Sequence, residues 1–410
     1  MSDSTYSSPT TFGQRVKKAR ERAGKTRATL GGLVGRSQEW VKAIETDRLG
    51  MPRLPLLLRL ASELGVDDLA DLTGLERLAA ATYTKAAHQD LPAIKAALTT
   101  YRFADTDEEP PAVAALEQRV RHAWQVWHSD GDHRTQVAPL LPDLLANLQL
   151  ATRAHEGTER RRALAALAQC YHLAQLFLSF QPSPEAVMLT GDRAMTAAQD
   201  ADDPHAIAVA AWYLNHIFRD AGERHEARVE LAMQAVELLR PDKGPEDLAR
   251  WGLLHLAAAL SCAKVGKAGD AWRYWDHADT AAKRLGDAYA HPFLIFGRGV
   301  VDAYAITMNA DLVRGQAAVD AARVDLAPIP SATRRSFHLV ESARAYSMQG
   351  KDEDIAVVTL LKKAHAESPE TVRFNLFARS AVSELATTGS AVNRKDAQQL
   401  HRDMRLPAVA

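Results

Sequence analysis

The stretch "GKTRATLGGLVGRSQEWVKAIETDRLGMP", residues 24–52, packs two helix starts, a glycine corner and a proline stop into 29 positions. Before it, Phe12, Val16, Ala19 and Ala23 recur at helical spacing, and Gly24 ends that helix. Thr26 is placed to cap a second short helix through Leu30, Leu33 and Val34. Gly35 permits the left-handed residue that a tight corner between helices needs, and Ser37 caps a third helix. That third helix turns Val41 and Ile44 inward and leaves Gln38, Glu39 and Lys42 outward. Pro52 and Pro55 stop the chain and restart it; "LLLRLASELGV" and then "VDDLADLTG" supply a fourth and a fifth helix. The spacing therefore predicts five short helices over residues 11–74, with a helix, glycine turn, helix at their centre.

Charge singles out the same region. Residues 11–60 hold twelve basic and four acidic side chains, an excess of eight, whereas the rest of the chain is acidic by nine. A compact basic head on an acidic body points to a polyanionic partner for the head alone. The segment from Phe12 to Val66 resembles the phage-repressor, or XRE, class of helix-turn-helix domains. The likeness rests on the first-helix arginine, the glycine turn, the serine cap, the "IE" closing the third helix and the proline before the fourth. It implies that the third helix enters the major groove of double-stranded DNA. Gln38 would then read adenine and Glu39 a cytosine amino group, while Trp40 and Ala43 meet thymine methyls. Arg15, Arg27, Arg36, Ser37, Lys42, Arg48 and Arg53 would contact phosphates. Arg27 departs from the family, which favours glutamine there. The plainer alternative is that Gln38 and Glu39 solvate a helix start and that Trp40 packs against the second helix.

The totals suit a soluble, all-α protein: 410 residues, 47% apolar and 25% charged, with few alternating stretches. Cys170 and Cys262 lie in apolar helical runs, which fits reduced thiols in the cytoplasm better than a disulfide framework. The start, residues 1–10, reads as a disordered leader and not as a signal peptide, and the longest apolar run is too short to span a bilayer. Fifteen histidines form no convincing ligand pair; "HSDGDH" at 128–133 is the nearest approach and reads as a turn. Phosphate-cradling glycine loops, nucleophile elbows and zinc-type cysteine pairs are missing from the sequence. No metal, cofactor or enzymatic activity is expected.

Residues 75–112 read as a helical linker, and 113–410 as amphipathic helix almost throughout. Turns beginning at 181, 222, 266, 309 and 350 recur at intervals of 41, 44, 43 and 41 residues, with packing positions four and eight residues before each and mostly small residues seven before. This resembles a tetratricopeptide (TPR) array with longer helices, in which the unit around Arg314 departs most. Such an array is an α-solenoid with a concave face. Carrying over that family's groove positions gives Tyr171, Gln175, Trp212, His216, Arg219 and Arg344 as ligand-groove candidates, together with Asn215 at a position where a small residue is usual. The alternative is that these residues are core or paired with neighbouring helices.

The whole plan, a lambda-repressor-like head followed by a TPR-like solenoid, resembles regulators of high-GC actinobacteria and, more loosely, the peptide-sensing RRNPP quorum receptors. That resemblance implies a cytoplasmic homodimer on an inverted DNA repeat, with a peptide or small-molecule signal in the solenoid. The alternative function is a ligand-independent scaffold that the head tethers to DNA; a hydrolase hidden in the groove is a distant third.

Overall fold

The structure, a computed structural model, describes residues 11–52, 54–66, 69–74, 85–101, 109–221 and 225–406. Every extended regular element among them is helical. The expected leader and Arg53 lie outside the described residues, as does the side chain of Arg219.

The head comprises α1 (Phe12–Arg22), α2 (Arg27–Leu33), α3 (Gln38–Glu45), α4 (Leu54–Leu64) and α5 (Leu69–Thr73). Its boundaries follow from local chemistry. The hydroxyls of Thr11, Thr26 and Ser37 accept from backbone N–H groups three residues on, and Thr11 closes a capping box with Gln14. Gly35 adopts φ 66° at the corner between α2 and α3. Val16, Leu30, Val41, Ile44, Leu57 and Leu60 form the head's core. Burying each of the larger ones contributes on the order of 1.5–3 kcal/mol. Gly13 is required for close approach, since a Cβ there would fall 2.3 Å from the Ile44 carbonyl oxygen where α1 meets the end of α3.

Beyond α6 (Leu91–Thr99), whose Leu91, Ile94 and Leu98 already join the body's core, the chain runs as consecutive helices. These are α7 (Val113–Ser129), α8 (His133–Val137), α9 (Leu141–Ala154), α10 (Gly157–Leu178), α11 (Pro184–Asp200), α12 (Pro204–Ala221), α13 (His225–Glu237), α14 (Pro245–Lys264) and α15 (Ala268–Leu285). They continue as α16 (Arg298–Asp311), α17 (Gly315–Ala321), α18 (Ala332–Ser347), α19 (Asp354–Glu367), α20 (Pro369–Phe374), α21 (Leu376–Thr388) and α22 (Ala391–Asp403). Neighbours pair as α10 with α11, α12 with α13, α14 with α15, α16 with α17 and α18 with α19. The α16–α17 pair is the irregular one, its second helix cut to seven residues.

The array does not stay open. His128 of α7 shares its ring nitrogens with the Ser331 hydroxyl and the Phe293 carbonyl, each at 2.9 Å. Glu370 of α20 accepts from the backbone N–H groups of Arg134 (2.5 Å) and Thr135 (3.2 Å) and from the Thr135 hydroxyl (2.6 Å). Helices more than two hundred residues apart in sequence are thus tied together, and the inner face becomes core. Among the described residues no helix is long and apolar enough to cross a membrane.

Candidate nucleic-acid interface

The first turn of α3 is held by Ser37, whose hydroxyl accepts from the Trp40 N–H at 3.1 Å. Gln38, Glu39 and Lys42 are exposed on it, and a loose pair joins Lys42 to Glu39 at 3.9 Å. Arg36 lies 5.9 Å from the Trp40 ring centroid, a distance at which the cation is attracted to the ring face, and donates to the Gly35 carbonyl. Arg15 reaches the Thr73 carbonyl at 3.4 Å, which ties α1 to the end of α5. Arg48 is exposed just beyond α3.

The other end of α3 is anchored by Glu45, whose side chain is fully covered. It binds Arg20 of α1 through both carboxylate oxygens and accepts from Arg27 Nε at 2.6 Å. Burial alone would raise the Glu45 carboxyl, but the hydrogen bonds from Arg20 and Arg27 more than offset it and hold the group below its ordinary range. The same contact raises the Arg20 guanidinium. Arg27, expected at a phosphate, therefore has its Nε committed inside the head.

Helix-turn-helix geometry of this kind, a capped corner with polar groups on the first turn of its second helix, is met by a matching family: the one described as "Helix-turn-helix domain" matches residues 11–73. The N-terminal unit is a helix-turn-helix domain. Among curated proteins nothing matches the chain. Of the solved structures, the apo form of the competence regulator ComR from Streptococcus vestibularis is similar at a TM-score of 0.31 and 13% identity, covering 88% of this chain and 97% of that one. That likeness is too remote to carry an argument.

What the helix-turn-helix domain touches within its own chain was not foreseen. Ala43 is 1% exposed, and it is covered by the body and not by its own head. With Trp40 and Leu49 it packs into a cluster with Ile306, Ala310, Val313, Ala318, Val319, Ala345 and Met348, drawn from α16, α17, α18 and the residues just after α16 and α18. Ser37 abuts the turn at Gly266, where a Cβ would fall 2.4 Å from the Ser37 Cβ. A Cβ on Gly315 would lie 3.5 Å from the Arg48 guanidinium. In this arrangement Ala43 can meet no thymine methyl, and Trp40 offers only part of its ring. The only sequence signal for the contact was the apolar pair Trp40 and Ala43 on α3, with Leu49 just beyond its end.

The groove candidates also land elsewhere than an open groove. Tyr171 is buried with its hydroxyl accepting from Gln149, and Gln175 donates to the Tyr213 carbonyl at 3.0 Å. Trp212 is 1% exposed, edge-on to His216 at 4.3 Å. Asn215 donates to the Arg228 carbonyl at 2.7 Å and accepts from Ser261 at 2.6 Å. Arg344 pairs with Asp311 at 3.0 Å and Glu341 at 2.7 Å. Tyr171, Gln175, Trp212 and Asn215 correct the expectation of an exposed lining, because closure of the array turns these positions into core, while His216 and Arg344 stay half-buried.

Proposed function

We propose that the chain is a sequence-specific, dimeric transcription regulator. Its body holds the DNA-reading helix in a dock and releases it when a peptide or small-molecule signal is bound. The observation that carries this reading is the shared apolar cluster: the flank of α3 that would face bases is covered by α16, α17 and α18. A helix so covered cannot enter a major groove about 12 Å wide while the body stays attached to it. When only a fraction of molecules is undocked, apparent operator affinity falls by that fraction, and a ligand shifts it only through unequal affinity for the two states. In the released state Gln38, Glu39, Trp40 and Ala43 read bases. Arg15, Arg36, Ser37, Lys42, Arg48 and Arg53 engage phosphates, with Arg27 beside them where its bond to Glu45 allows.

The test is a charge placed in the dock on the body's side. Met348 is 3% exposed within the shared cluster, and Met348→Glu puts a carboxylate into that apolar contact. Operator affinity is expected to rise at least tenfold, about 1.4 kcal/mol, with the melting of the body little changed. Equal or weaker affinity in a folded variant would remove the docking mechanism.

A further inference from the structure

A cavity of about 580 Å³ lies where the chain leaving the head meets both ends of the array. Its walls come from residues 87–89, from Asp132 and Thr135 at α8, from His365 to Phe374 across α19 and α20, and from Asp403 and Arg405 past α22. The volume falls within the range of small-molecule sites. One wall is firmly built. His88 has its backbone N–H on Gln181 at 2.9 Å, its Nε2 on the Thr135 hydroxyl at 3.0 Å and 3.3 Å from Glu370, and its ring edge-on to Phe177. Glu370 is consumed by that wall, since its oxygens take up His88, Thr135 and two backbone N–H groups.

Apart from Arg405, exposed two residues beyond Asp403, the remaining charges fall into two groups. Asp132 and Asp403 line the cavity together with His365; burial lowers that imidazole and the charges of both carboxylates oppose the shift. In the other group stands Arg373, 5.6 Å from the Phe374 ring centroid. Beside it is Arg379, whose guanidinium is lowered by burial and by the neighbouring Arg373 charge. Among the described residues no carboxylate pairs with Arg373 or Arg379, and these two half-buried cations repel each other, with Arg379 donating to the Arg373 backbone carbonyl at 3.3 Å. Partly buried charges of one sign are costly unless an opposite charge arrives, and an anion at Arg373 would relieve them.

We propose that this seam cavity binds a compact zwitterion, a free α-amino acid or a short peptide with unblocked ends, with its ammonium between Asp132 and Asp403 and its carboxylate on Arg373. Phe374 and Pro369 give the ligand an apolar floor. A ligand here touches the segment leading to the head and both ends of the closed array at once, so its binding favours one placement of the head over another. The inference rests on the signal-receptor reading only for that last step; the site itself does not need it.

Calorimetric titration of the full-length chain with L-phenylalanine and glycyl-L-phenylalanine, beside N-acetyl-L-phenylalanine and L-phenylalanine amide, tests it. At least one unblocked probe is expected to bind, with both blocked forms at least tenfold weaker. Arg373→Gln and Asp403→Asn are each expected to cost the unblocked probe tenfold or more. Both positions lie at the surface or half-buried, so the melting temperature checks that the fold is kept. Blocked and unblocked forms binding alike, no dependence on Arg373, or no binding of either unblocked probe overturns the site. Operator affinity measured in parallel separates the two readings. Arg373-dependent binding that leaves DNA affinity unmoved keeps the site and ends the receptor reading. Release by Met348→Glu without any zwitterion binding does the reverse.

Discussion

Purified Gln38→Ala, Glu39→Ala protein is expected to recover genomic DNA without a shared motif, and the parent chain to enrich one inverted repeat. Both side chains stand exposed at the start of α3, immediately after the Ser37 cap, and neither carries fold-critical contacts. In a major groove, glutamine can bond adenine through both its amide atoms, and glutamate accepts from a cytosine amino group. Each such contact discriminates by about 1–3 kcal/mol, so losing both costs on the order of a hundredfold or more in specificity per head. Phosphate contacts survive the change, and binding by the variant should keep its steep salt dependence. Sequencing of fragments recovered at one stated salt concentration reads the result. A repeat still enriched by the variant would mean that Gln38 and Glu39 only solvate a helix start.

How far these features could be read from the sequence depended on distance along the chain. Gly35, the Ser37 hydroxyl and the residues around Pro52 act within a turn or two, so the corner and its helices were legible from spacing alone. The helix pairs were legible for the same reason, since each turn repeats local chemistry. The Arg27–Glu45 bond was not legible, because a cation at the start of α2 suits a phosphate as well as a carboxylate, and only the fold brings Glu45 within 2.6 Å of its Nε. Ala43 and Trp40 posed a similar ambiguity: a methyl of thymine and the methyl of Met348 look alike to an apolar side chain. Curvature was the hardest to read. Small rotations between helix pairs accumulate until His128 meets Ser331, 203 positions away, and nothing in one repeat records that sum. Tyr171, Gln175 and Trp212 therefore look like a lining in sequence and are core in space.

Glu45→Ala is expected to unfold the head at conditions the parent chain withstands. Removing the carboxylate leaves Arg20, 8% exposed, with only the exposed Glu21 carboxylate at 3.5 Å and the Lys25 carbonyl as partners, and frees Arg27 Nε as well. Breaking a buried ion pair from one side costs about 3–5 kcal/mol, mostly as the desolvated charge left behind. The loss should appear as faster hydrogen exchange of the α3 amides and a lower urea midpoint for the head, while the body's amides stay protected. Replacing Arg20 and Glu45 together by methionine should recover most of it, since an apolar pair of similar volume needs no counter-charge. The dependence on pH has a fixed sign. Glu45 is held below its ordinary pKa in the folded head, so its contribution is present above the carboxylate range and is lost as pH falls through the lowered value. The double methionine variant should lose that acid sensitivity, and an unchanged acid midpoint would mean that another carboxylate governs it. Because Glu45 joins α1, α2 and α3 at one point, its loss loosens the angle at which Gln38 and Glu39 are presented before the fold itself fails. Operator specificity should then decline in Glu45→Ala at temperatures where the head is still folded.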